Sequence, residues 1–126
     1  MKGQIIKPVI DVIQKRIFLI RNTPAMLDID MAWLYDVSLQ DFLNMVVKKV
    51  ALPNDFLLRL NEDEFPANRV IQDSFLYAVT ENGILMMPAL FTDEIYVDVN
   101  IALLRAVTAF RNQYSLKLVK APGKLN

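Results

Sequence analysis

Apolar and polar residues recur along the chain with two different periods, and the change of period marks where strands give way to helices. "KRIFLIR", Lys15 to Arg21, is rich in β-branched and aromatic residues and is followed by "NTP". That order predicts a strand and then a turn, with "AML" able to return as a short second strand. The spacing then becomes helical. Met31, Leu34 and Tyr35 fall on one face, with Asp28 or Asp30 placed to accept backbone N–H groups as an N-cap. Asp36 and Val37 make a corner. Ser38 with Asp41 matches a capping box at the start of a second helix. Its Leu39, Phe42, Leu43, Val46 and Val50 face inward, and its Gln40, Asp41, Asn44, Lys48 and Lys49 face outward. Pro53 closes it.

Beyond the corner, "DFLLRL" predicts a strand, "NEDEF" an Asn-capped helical turn, and residues 66–73 a loop. "SFLYAV" predicts a strand ending at Thr80, whose hydroxyl can cap a helix through "ENGILMMPALF". Pro88 either kinks that helix or stands near its end. Asp98 to Gln113 is the strongest helical pattern in the chain, with apolar residues over most of its circumference. Two environments would satisfy it: a homodimer seam or full enclosure within the fold. The expected architecture is one α+β domain over residues 1–126 with its core at about 12–113 and a loose tail at 114–126. Short strands support a helix-turn-helix-like helix pair, followed by a long apolar C-terminal helix.

Composition narrows the chemistry. With 126 residues and 54% hydrophobic content, a core can form without metal or disulfide staples. Cysteine and histidine are both absent, which removes thiolate nucleophiles, the usual general base and the commonest metal ligands. The expectation is a non-enzymatic domain with no catalytic residue, metal, cofactor or small-molecule substrate. Asp28, Asp30 and Thr80 read as caps rather than ligands. Trp33, Tyr35, Met86 and Met87 read as core filling, and Glu62, Asp63 and Glu64 as a solvated acidic turn. Lys7, Pro8 and Asp11 interrupt the apolar N-terminal stretch before a signal-peptide core or membrane span could form, so a cytoplasmic protein without membrane contact is expected.

The formal charge is zero, from 14 basic and 14 acidic residues, but it is unevenly spread. Residues 1–21 carry +4 and residues 22–47 carry −4. Residues 48–60 carry +2, residues 61–98 carry −7, and the stretch from 99 onward +5. An anion-binding face must therefore be assembled from the two ends of the chain and the Lys48, Lys49 pair.

The stretch "IRNTPAMLDIDMAWLYDVSLQDFLNMVVKKVALPNDFLLRLNEDEF" resembles the phage-derived ORF-six-N family, a relative of the KilA-N and Bro-N domains. The resemblance is carried by Ile20, Arg21, Met26, Leu27, Asp28, Asp30, Ala32, Leu34, Tyr35 and Val37, then Pro53, Asp55 and Phe56. It continues through Tyr77, Thr80, Glu81 and Gly83, and through Val99, Asn100, Ile101 and Arg105 of the last helix. It implies a DNA-binding domain of phages, prophages and bacterial genomes, often joined to regulatory or antirepressor segments.

This chain departs from the family pattern where charge is concerned. The second helix ends "VVKKVAL", one residue shorter than the family pattern and without several of its basic residues. The turn glycine after Ile-Arg is Asn22, and the corner glycine is Asp36; both residue types tolerate left-handed backbone. The candidate DNA contacts are Gln40 and Asn44, whose amides can pair with adenine edges, and Lys48 and Lys49, which can neutralise phosphates. Lys15, Arg16 and Arg21 would join them if the fold brings them alongside. The plainer reading is that the amides are solvated helix-surface residues and the lysines favourable charges near a helix C-terminus. Double-stranded DNA and a second copy of the chain are the expected partners. The alternative is an interaction or oligomerisation module that keeps the fold after losing most nucleic-acid affinity.

Overall fold

The computed structural model describes residues 10–64 and 76–120, with side chains as far as Tyr114. A short helix α1 (Ile10–Gln14) leads into β1 (Ile17–Ile20) and β2 (Thr23–Leu27), then α2 (Asp28–Leu34) and α3 (Leu39–Leu43). A π-helical turn, Asn44–Lys49, continues α3. After β3 (Leu57–Arg59) and a 3-10 turn at Glu62–Glu64 come β4 (Tyr77–Thr80) and α4 (Glu81–Leu90). A second 3-10 turn, Glu94–Tyr96, opens α5 (Val97–Lys120). This is the expected α+β class. No described helix is long and apolar enough to cross a membrane.

The sheet is antiparallel throughout, in the order β1-β2-β4-β3. Alternation along the strands splits its residues between two faces. Ile17, Met26, Val79 and Leu57 share the face covered by helices, together with Tyr35, Phe42, Ile84 and Leu103. Ile20, Ala25, Leu27, Leu60, Leu76 and Ala78 form a smaller cluster on the other face. The β1–β2 hairpin turns on Arg21 and Asn22, both with positive φ (52 and 63), which is the backbone of a two-residue turn matched to strand twist. Asn22 and Asp36 (φ 55) thus hold the left-handed geometry expected of them.

Local polar chemistry explains several boundaries. The Ser38 hydroxyl accepts the Asp41 N–H at 3.0 Å and starts α3. Thr80 accepts the Gly83 N–H at the start of α4 and donates to the Asp55 carbonyl at 2.7 Å, tying the helix start to the approach of β3. Gly83 has no substitute there, because a Cβ would stand 2.3 Å from the Phe56 carbonyl oxygen. Pro88 lies inside α4, in its last turn, two residues before the helix ends at Leu90.

Some expectations fail for reasons that are physical. Neither Asp28 nor Asp30 is the N-cap of α2: β2 pairs as far as Leu27, so the helix starts directly from the strand with no side-chain cap. Asp28 instead accepts the N–H of Ile29 and, across to β4, that of Tyr77, while Asp30 receives Arg16. Val50, expected to face inward, is exposed, because the π-turn adds a residue per turn and moves it off the buried face. The turn closes through Ala51 in left-handed backbone (φ 56), ahead of Pro53. Asn61 does not appear as a side-chain cap; its own N–H donates to Glu64 Oε1. Trp33 is 53% exposed rather than core. α1 has no counterpart among the elements the sequence pattern predicts, and α5 runs to Lys120, past residue 114 where that pattern predicts a loose tail. The loop expected at 66–73 lies outside the described residues.

Candidate nucleic-acid interface

The corner between α2 and α3 is anchored from beneath by aromatic side chains. Tyr35 stacks on Phe91 with ring centroids 3.9 Å apart, and Phe91 lies parallel to Phe42 of α3 at 6.4 Å. Tyr96 meets both Tyr35 and Phe91 edge-on. The buried Tyr35 hydroxyl donates to Asn100 Oδ1 at 2.6 Å, and the Asn100 amide in turn donates to the Phe91 carbonyl at 3.0 Å. A tyrosine at the corner, an asparagine on α5 and the end of α4 are thus locked in one chain of bonds. Burial pushes the Tyr35 phenol well above its ordinary value, so it stays a neutral donor. Tyr96 is raised too, by burial first and then by Asp93 and Asp36.

With that underside fixed, α3 and the π-turn present their other side to solvent. Gln40, Asn44, Lys48 and Lys49 are all exposed. Gln40 Nε2 donates to Asn44 Oδ1 at 3.2 Å, so the two amides satisfy each other in part. Neither lysine enters an ion pair among the described residues. They close the helix run, where positive charge suits the carbonyl end of the dipole.

The cations near β1 are placed differently. Arg16 pairs with Asp30 at 2.7 Å and lies over the Trp33 ring, 4.5 Å from its centroid. Arg21 holds Glu64 through two nitrogens, at 2.9 and 2.8 Å, and reaches the Arg59 carbonyl at 3.3 Å. This fork pins the hairpin tip to the Glu62–Glu64 turn. The Arg21 hydrogen bonds, helped by the Asn61 N–H, lower the Glu64 carboxyl from an ordinary 4.5 to about 2, and the Glu64 bond raises the guanidinium in return. Lys15 and Arg21 share a shallow depression along β1 with Phe18, Leu19, Ile20 and Glu64. Lys48 and Lys49 are not part of it. The two arginines proposed as DNA contacts are therefore occupied within the protein, and Glu64, read as part of a merely solvated turn, is the partner of one of them.

The scaffold now described corresponds to a known domain: the ORF6N domain matches residues 15–90. The chain belongs to the ORF6N family. The match spans β1 to the end of α4 and so contains the corner, α3, the π-turn and the hairpin arginines. It stops before α5, leaving Val99, Asn100, Ile101 and Arg105 outside it. No curated protein and no solved structure matches the chain.

Within the ORF6N stretch the structure gives physical roles to residues that carried the resemblance. Tyr35 is the corner anchor and Thr80 the α4 cap. Gly83 permits close approach to the β3 loop, and Glu81 pairs with Arg111 of α5. Sequence reasoning missed the Arg16–Asp30–Trp33 and Arg21–Glu64 groupings. The residues of each meet only in the fold, and opposite charges 14 and 43 positions apart give no local signal.

Proposed function

We propose that this ORF6N domain binds double-stranded DNA as a non-enzymatic regulatory module of phage or prophage type, of the antirepressor or transcription-regulator kind, in the bacterial cytoplasm. The observation that carries the reading is the outward side of α3 and the π-turn. It offers two amides and two lysines without ion-pair partners among the described residues, on a helix held from below by the Tyr35–Phe91–Asn100 grouping. Gln40 and Asn44 have the donor and acceptor pairs that read base edges, and Lys48 and Lys49 supply phosphate contacts. Family membership supports it. The test is titration of labelled mixed-sequence duplex at low salt, where the wild type binds and Lys48→Glu with Lys49→Glu does not. Absence of wild-type binding would refute the reading.

A second reading, an interaction module with the fold kept and the affinity lost, is favoured by the arginines. Arg16 and Arg21 are held by carboxylates, so the positive charge open to a phosphate backbone is small. It gains if the folded wild type ignores duplex at low salt.

A further inference from the structure

The side of α5 that faces away from the core is ordered in a way that complements itself. Val99, Ala102, Leu103, Ala106 and Val107 are buried against the domain. On the opposite side Val97 (49% exposed), Ile101 (43% exposed) and the half-buried Leu104 form an apolar stripe one or two turns apart. The stripe borders a groove of about 440 Å³ at the junction with α4, whose walls include Pro88, Phe91 and Asn100. Its other flank carries Asp98 and Arg105, both exposed and neither in an ion pair or hydrogen bond among the described residues.

We infer that this face seats a second copy of the chain, with α5 packed antiparallel on α5 about a two-fold axis near Ile101. A symmetric contact requires that each surface match its own reversed image. Asp98 and Arg105 lie on the same flank, one turn before and one turn after Ile101. Reversing the helix therefore sets Asp98 of one copy beside Arg105 of the other, twice. The same rotation lays Ile101 against its counterpart and brings each apolar stripe to the partner's groove. The 24 residues of α5 span about 36 Å, long enough to hold both charge pairs within one helix-helix contact. A different apolar partner would have no reason to match acid, apolar and base in reverse order. The inference does not depend on DNA binding, since the face lies on α5 and the candidate DNA face on α3 and the π-turn.

Sedimentation equilibrium over a concentration series tests it, with circular dichroism confirming that each variant is folded. The wild type should show twice the chain mass, and Ile101→Glu should be monomeric. Asp98→Arg and Arg105→Asp should each weaken association by at least about tenfold, because each places like charges together twice. The double exchange, Asp98→Arg with Arg105→Asp, should restore it. A wild type that stays monomeric throughout, or a dimer untouched by Ile101→Glu, would overturn the inference. A dimer that the double exchange fails to restore would overturn the antiparallel arrangement. Duplex binding measured on the same samples is read separately, so loss of one property does not count as loss of the other.

Discussion

The arginines of the β1 hairpin and the lysines of the π-turn carry the same sign of charge and do opposite things. Arg16 and Arg21 each hold a carboxylate, and Arg16 also covers an indole face. Lys48 and Lys49 stand at the end of a helical run with no ion-pair partner among the described residues. The planar guanidinium, with five donors in a fixed fork, suits a clamp between elements, whereas an exposed ammonium on a flexible stem remains available to a mobile anion. Counting cations therefore overstates the surface a polyanion can use.

The comparison can be broken in stability and in binding separately. The largest stability effect is expected from Arg16→Ala, which removes a partner of the nearly buried Asp30 and uncovers Trp33. It should cost about 1–2 kcal/mol in urea unfolding and leave duplex affinity unchanged. Tyr35→Phe should cost about 1 kcal/mol, since Asn100 Oδ1 loses its donor inside the corner. Lys48→Ala with Lys49→Ala should fall within about 0.5 kcal/mol of the wild type, yet lower the salt slope of duplex binding by about 2. The smallest effect concerns pH. Glu64 has a depressed folded value, so its contribution is present above pH 4.5 and is lost as the pH falls toward 2. Arg21→Ala should flatten acid unfolding in that window. An Arg16→Ala variant of full stability and weakened DNA binding would invert the assignment.

What the sequence made legible was local. The Ser38 cap, the Thr80 cap, the left-handed Asn22 and Asp36 and the outward setting of Gln40, Asn44, Lys48 and Lys49 all follow from neighbours within a few residues. The rest depended on contacts between distant positions. Tyr35 and Asn100 are 65 residues apart and Arg21 and Glu64 are 43 apart, so neither pairing leaves a periodic trace. The π-turn was equally silent. Its residues Asn44–Lys49 fit an α-helical pattern, and only the Val50 N–H bonding to the Met45 carbonyl, five residues back, reveals why Val50 leaves the buried face. Trp33 misled because an aromatic in a helix pair is usually buried, whereas here a cation lies over its ring.

The division between engaged arginines and available lysines is tested most directly by mapping where a duplex touches the folded protein. In two-dimensional amide spectra of isotope-labelled protein titrated with a short DNA duplex at low salt, the signals of Gln40 to Lys49 should shift with increasing DNA while those of Ile17 to Ile20 stay in place. Shifts concentrated on the β1 hairpin, with Gln40 to Lys49 unmoved, would contradict the account.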